Sequence, residues 1–590
     1  MPFRASESCI MKFILWLFTA GSLVLAEEAS LVLMNGTIWT VDDANPSAEA
    51  VAVKDGRFIY VGSNDGVEKH IRKGITEVID LNGLFVTPGF NDNHVHFEWT
   101  GRLVFGLNLL DVHHEGPFVH KVKEVNNRFA PDVWITGGQW SAYEAWGEGT
   151  VGEEGRKAKS DLFKPSRRMV DSFTRDRPIF IQRFDGNVFF ANGKALELAG
   201  IGRDIPSPLG IIVERDRKGT PTGILTGENV NSHFQKIIPD RTWNQRLLET
   251  QAVLDRCKRF GVTSLSDMSD PLQREIFYHL RNSDALTVRV HSRGYLDQWE
   301  KLAALGIKVG AGDAMIRLGA VKAWIDGIMG NSSARFYEPY SHITGERGRW
   351  RSIMFPWTAA NNGREMVSNL ENLAMKADSA GIQLSVHAIG DEGNGYLLDM
   401  MERMIERNGQ KDRRFRLVHA QVIHPDHFKR FNGLGIVAEV QPYHCTDDMR
   451  WMEERIGHDR CVGAYAFRTL WDNGAVVCFG SDSPGTNAAR YPLNPMLGLY
   501  AAVTRQTLTG EPKGGWFPNE KLTIEEAIQA YTLNSAYASF EEEIKGSITV
   551  GKLADMVVLS DNLLEIDSVK IKDVENVMTI LGGDVIYMKP

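Results

Sequence analysis

Eight short apolar runs, spread over residues 84–481, constrain the fold of this 590-residue chain more than any other feature. They cover Leu84–Asn91, Gly261–Asp267, Leu286–Ser292 and Ile316–Trp324, then Gln383–His387, Phe415–His419, Gly435–Val440 and Ala475–Ser481. Runs of this length, alternating with longer helical stretches, read as parallel strands joined by helices. Eight such units close a (β/α)8 TIM barrel. The count sets aside residues of about 100–245 as an insertion after the first strand. Within it, Val133-Trp134-Ile135 and Pro178-Ile179-Phe180-Ile181 also look like strands. A stretch this long exceeds a simple loop and is expected to form a subdomain over the barrel mouth.

Both ends of the chain are β-rich. Ser30 to Val41, with a turn at Asn35-Gly36, and Ala48 to Gly62, with a turn at Asp55-Gly56, read as hairpins. Gly551 to Leu559 and Val577 to Tyr587 repeat the pattern. Residues 27–83 and 545–590 are therefore expected to assemble one small β-sandwich beside a barrel spanning 84–544. Ahead of them, Met11-Lys12 and the apolar run Phe13 to Ala26 look like a secretory signal peptide over residues 1–26. The run is shorter than a spanning helix needs, so cleavage is expected, with no stable membrane span afterwards and a secreted or periplasmic location. Cys257, Cys445, Cys461 and Cys478 remain, without CxxC spacing; a dense disulfide framework is excluded and a single bridge left open. The formal net charge is −9 with no basic block, which excludes a nucleic-acid partner. A small-molecule substrate is expected instead.

Chemistry in a barrel gathers at the carboxyl ends of the strands. Residues able to hold a cation recur there. In Asn93-His94-Val95-His96 two imidazoles stand two residues apart, and in extended chain both can aim at one point. Lys322 lies in the fourth run, His387 and His419 end the fifth and sixth, and Asp482 follows the eighth. Each has an ordinary explanation alone; six in this order at successive strand ends do not. A divalent ion lowers the pKa of water it binds towards roughly 7 and polarises a carbonyl. Asp482 suits a general base that later returns the proton as an acid. The imidazoles need fixed tautomers, so carboxylate or carbonyl partners are expected behind them. Zinc is the default ion, one or two per chain, although imidazole–carboxylate sets also accept iron, manganese, nickel or cobalt.

The ordered motifs make the comparison specific. The chain resembles the amidohydrolase superfamily, in its family-3 branch of N-substituted formamide deformylase-like proteins. The matching pieces include Pro88-Gly89-Phe90-Asn91-Asp92-Asn93-His94-Val95-His96, Lys322-Ala323-Trp324-Ile325-Asp326-Gly327, Val386-His387-Ala388-Ile389-Gly390-Asp391 and His419-Ala420-Gln421. Gln441-Pro442-Tyr443-His444, Gly480-Ser481-Asp482 and Gly546 to Asp555 complete the set. The resemblance implies that His94 and His96, with Asp482, hold one metal ion and that His387 and His419 hold a second. It implies a carbamate on Lys322 bridging the two; the competing reading is a buried lysine paired with Asp326 and a single ion. His444, Asn187 and Asp326 fall at substrate-binding positions, with Asn187 where relatives usually carry histidine. Asparagine still hydrogen-bonds but cannot carry a proton near neutrality, so relatives' substrates do not transfer directly. A homodimer is the assembly such relatives suggest. Three functions follow in order: hydrolysis of a C–N bond in a small amide, formamide or cyclic amide; heterocycle deamination by the same site; and a non-catalytic binding or regulatory barrel. Trp140, Tyr143, Trp146 and Trp324 are candidate walls of an apolar pocket.

Overall fold

The computed structural model describes residues 27–130, 133–141, 161–184, 186–268, 270–350, 364–485 and 493–590. Residues 1–26, where the signal peptide is expected, and Tyr143, Trp146 and Asp185 lie outside them. Eight parallel strands pair in chain order: β1 (Phe90–Val95), β2 (Val262–Asp267), β3 (Arg289–Tyr295), β4 (Ile316–Trp324), β5 (Gln383–Ala388), β6 (Arg416–His419), β7 (Val437–Val440) and β8 (Val476–Phe479). The ends of β8 and β1 meet through a parallel bridge between Val95 and Ser483, with the Asp482 N–H donating to His94 O at 2.8 Å. This closes a (β/α)8 barrel, as the eight runs predict.

Two strands differ from the sequence reading. The run Leu84–Asn91 does not form one barrel strand. Phe85–Pro88 pairs antiparallel with Met556–Leu559 and parallel with Thr37–Trp39 in a separate six-stranded sheet. Only after Gly89 does the chain enter the barrel. A Cβ on Gly89 would lie 2.1 Å from Thr263 Oγ1, so the crossing between sheets passes where the β2 side chain leaves room for hydrogen alone. The barrel strand β1 is mostly polar, yet every residue of it is buried, because its partners are supplied by the barrel interior. The third strand begins three residues later than expected, at Arg289.

Helices cover the barrel and are set by local signals. Asp270 caps Pro271–Asn282 by accepting from Gln273 N–H, Pro271 takes the first helical position, and Ile276, Phe277 and Leu280 face inward. Thr242 and Gln245 form a reciprocal capping box on Trp243–Arg259. Six short strands between Leu107 and Thr226 form a further mixed sheet, the last pair being Ile212–Arg215 and Pro221–Thr226. Trp140 lies at its heart, fully buried among Leu107, Phe118 and Ile181, with its indole N–H donating to Phe163 O at 3.0 Å. It packs a core rather than walling a pocket. Cys257, Cys445, Cys461 and Cys478 are all buried and unpaired, so the one bridge left open by the sequence does not form. Among the described residues no helix is long and apolar enough to cross a membrane.

The six-stranded sheet joins strands from both ends of the chain, including Asn576–Leu581 and Asp584–Met588. It is tied to the barrel floor by Arg289 at the start of β3. The Arg289 guanidinium grips Asp555 in two parallel bonds, Nε to Oδ2 at 2.7 Å and Nη2 to Oδ1 at 2.8 Å, both side chains being buried. Asp555→Ala would strand that guanidinium. Loss of roughly 3–5 kcal/mol is expected, read as a lower denaturant midpoint; a loss below about 1 kcal/mol would mean the pair is replaceable by water.

Candidate metal centre

The strand ends bring the expected residues together. His94 is the penultimate residue of β1 and is fully buried; His96 stands at the start of the next helix, Phe97–Phe105, with its ring stacked on Trp99 at 5.0 Å. Both imidazoles turn to the same atom. Asp482 Oδ1 lies 3.3 Å from His94 Nε2 and 3.2 Å from His96 Nε2. His419, at the end of β6, places its ring 5.2 Å from that of His94 and 4.5 Å from that of His387. One ligand atom each from His94, His419 and Asp482 lie within 4.8 Å of one another. His419 and Asp482 hold backbone φ angles of 75° and 54°. Non-glycine residues rarely occupy this left-handed region, and such strain persists where the surroundings enforce it.

Each central imidazole has a partner that determines which nitrogen is free. Glu439, on β7, is fully buried and accepts from His94 Nδ1. A carboxylate can only accept, so the proton is on Nδ1 and Nε2 is left with its lone pair. Gln441 Oε1 does the same for His419 Nδ1, at 2.7 Å. His387 is turned the other way: its Nε2 donates to Gly327 O at 3.0 Å and stands 3.4 Å from Asp326 Oδ1, leaving Nδ1 free.

This arrangement tests whether a cation fits. The bare Nε2 of His94 faces Asp482 Oδ1, lone pair against lone pair, and the nitrogen is buried without a hydrogen-bond partner. Two acceptors held this close repel unless positive charge lies between them. Lys322 Nζ, fully buried on β4, likewise has no hydrogen-bond partner among the described residues. It lies over the Trp324 ring, 5.5 Å from its centroid. The donor set of imidazoles and a carboxylate is one that zinc and its first-row neighbours accept. The residues fit a cation.

Electrostatics agree with this. Burial pushes the His94 imidazole down to about 3, which keeps it neutral. Burial, with His387 beside it, also takes His419 well below its ordinary range. Asp482 would be raised by burial, but His94, His96 and His419 outweigh that and hold it well below the usual carboxylate range. Burial drives Lys322 well below the ordinary lysine range, towards the neutral amine.

The expected substrate-binding residues divide. His444 stays with the centre, its Nε2 3.9 Å from Asp482 Oδ2. Asn187 is exposed in the turn between Phe180–Arg183 and Val188–Ala191, on the inserted sheet and on no barrel strand. Asp326 is 1% exposed, and its carboxylate already accepts the N–H groups of Arg335 at 2.9 Å, Ile389 at 3.1 Å and Gly390 at 2.8 Å. It braces the chain behind His387 rather than facing a ligand, and it forms no ion pair with Lys322. Glu439, Gln441, Arg293 and Arg416 were given no role by sequence reasoning. Gln441 falls within a matching motif; for the other three the signal is a charged side chain in an apolar strand, as in Val437-Ala438-Glu439-Val440.

A sequence profile described as the amidohydrolase family matches residues 77–587. The chain belongs to the amidohydrolase family. Among its relatives in this family, the protein LONG AFTER FAR-RED 3 of Arabidopsis thaliana is 32% identical over 582 residues, covering 95% of this chain and 92% of that one. N-substituted formamide deformylase of Arthrobacter pascens is 25% identical, covering 95% and 99%. Of solved structures, an uncharacterized metal-dependent hydrolase from Pyrococcus horikoshii OT3 superposes with a TM-score of 0.69 at 24% identity, over 91% of this chain and 99% of that one. That likeness shows the same fold, the (β/α)8 barrel read above from the strand order.

Proposed function

We propose that this amidohydrolase is a metal-dependent hydrolase cleaving a non-peptide C–N bond in a small amide, N-substituted formamide or cyclic amide. The reading rests on one observation above all: with its proton on Nδ1, His94 presents a bare Nε2 to Asp482 Oδ1, and a cation between these two acceptors makes the contact favourable. The deformylase relative supports the substrate class. His94, His96 and Asp482 would hold one divalent ion, for which zinc is the first choice, and His387 and His419 a second. A divalent ion in this position supplies activation of water and polarisation of the scissile carbonyl.

The chain's own groups carry the protons. Asp482 is ionised and presents Oδ2, the oxygen not facing His94 and His96, towards His444. Oδ2 takes a proton from the attacking water as its oxygen bonds to the carbonyl carbon. The same proton goes to the departing nitrogen as the C–N bond breaks, giving a carboxylic acid and an amine. His444 Nε2 lies beside this path and orients the substrate carbonyl. Lys322, buried as an amine, can add to carbon dioxide, forming an N–C bond and losing one proton; the resulting carbamate oxygen is a ligand that an ammonium is not.

Metal content per chain, read by elemental mass spectrometry on protein purified without chelator, tests the reading. Near two equivalents is expected, with release of amine from formamides and simple amides. No metal after reconstitution with zinc or manganese would defeat it. Lys322→Ala is expected to lower content towards one equivalent, with partial recovery in added short carboxylates. Unchanged content in that variant would remove the bridging carbamate while leaving a one-ion hydrolase.

A further inference from the structure

Beneath the centre lies a buried ionic cluster that the reaction above does not use. Glu439 on β7 is fully buried between two arginines that are themselves fully buried, Arg293 on β3 and Arg416 on β6. Arg416 Nε donates to Glu439 Oε2 at 2.7 Å, and Arg293 Nη1 reaches both carboxylate oxygens at 3.2 Å. Two guanidiniums in direct contact thus supply the counter-charge that a carboxylate as buried as that of Glu439 needs. Its remaining interaction is with His94 Nδ1. The same guanidiniums also hold the main chain next to that histidine. Arg293 Nη2 and Arg416 Nη2 both donate to Asn93 O, and Arg416 Nη2 also reaches Asn93 Oδ1. Four strands, β1, β3, β6 and β7, thus meet at Asn93-His94, where the His94 ring and the preceding Asn93 carbonyl are both held.

We infer that Glu439 is a positioning residue for the metal centre. Clamped by Arg293 and Arg416, it fixes the tautomer and ring plane of His94 so that Nε2 is offered to the cation. This rests on the metal-dependent reading given above.

The chemistry of replacement makes the inference sharp. Glutamine has nearly the shape of glutamate but only one acceptor atom, while Arg293, Arg416 and His94 together require two. The permanent positive charge on the arginines takes the amide oxygen. The amide NH2 is then left facing His94 Nδ1 and can only donate. His94 must accept at Nδ1, and its proton moves to Nε2, the atom facing Asp482. A protonated Nε2 is no ligand. Aspartate keeps the charge for the arginines but is one methylene too short to reach His94 as well.

The test compares zinc affinity, by competition with chelators of graded strength, in the full-length wild type, Glu439→Gln and Glu439→Asp. Asp555→Asn serves as a control, because it weakens a buried ion pair remote from the centre. Both Glu439 variants are expected to bind zinc about 10–100-fold more weakly, and the visible spectrum of the cobalt-substituted protein should shift. The control should match the wild type in both readings despite lower stability. Variants that fold and bind zinc as the wild type does, with an unchanged cobalt spectrum, would overturn the inference alone. Failure of both to fold would also overturn it, making the carboxylate a folding element. A wild type that binds no cation would instead defeat the functional reading itself.

Discussion

Asp482→Asn is expected to retain the metal and lose turnover by about 10²–10⁴-fold. Asparagine is nearly isosteric and keeps an oxygen to face His94 and His96, where Asp482 Oδ1 now stands 3.3 and 3.2 Å from their Nε2 atoms. What it loses is the second oxygen, the one turned towards His444, and with it the capacity to take and return a proton. The two effects are read separately, as amine released per chain and as metal content. Turnover equal to the wild type at equal metal content would remove Asp482 from proton transfer. Loss of both together would make it chiefly a ligand.

The second large effect concerns stability. Asp326→Ala is expected to destabilise the protein by roughly 3–9 kcal/mol, since three N–H groups, two buried and one half-buried, would each lose an acceptor at about 1–3 kcal/mol apiece. Those groups belong to Arg335, Ile389 and Gly390, on two separate segments that the carboxylate draws together behind His387. Asp326→Asn keeps one acceptor oxygen and should lose about half as much. A denaturant titration of the three proteins makes the comparison. A change below about 1 kcal/mol, accompanied by a raised KM, would return Asp326 to the substrate-contacting role its motif suggests.

The two predictions separate residues that look alike in the chain. Asp326 and Asp482 both follow barrel strands and both stand near histidines, yet one carboxylate is saturated by backbone donors and the other faces bare ring nitrogens. Charge in the barrel interior follows the same logic. Arg293, Arg416 and Glu439 are buried at a cost that their mutual contacts offset only if every partner is present. Such a cluster is a poor source of stability compared with apolar packing. Its retention beneath His94 is intelligible as a device of position.

The sequence alone determined the order of the barrel strands and the kind of residue that ends each one. Both are local properties: an apolar run of strand length, a polar residue at its carboxyl end, and a period of two that lets His94 and His96 share one target. Where a local pattern met a crossing between sheets it misled, because Phe85–Pro88 is as apolar as a barrel strand, and only the space beside Thr263 shows that the chain changes sheet at Gly89. The tertiary structure alone decided which nitrogen of each imidazole is free, that Asp326 is already occupied, and that Lys322 Nζ has no hydrogen-bond partner among the described residues. Those facts depend on meetings such as His94 with Glu439, 345 residues apart, and Arg293 with Glu439, 146 apart. Hydrogen-bond geometry between groups that distant is set by barrel closure, and no periodicity in the chain encodes it.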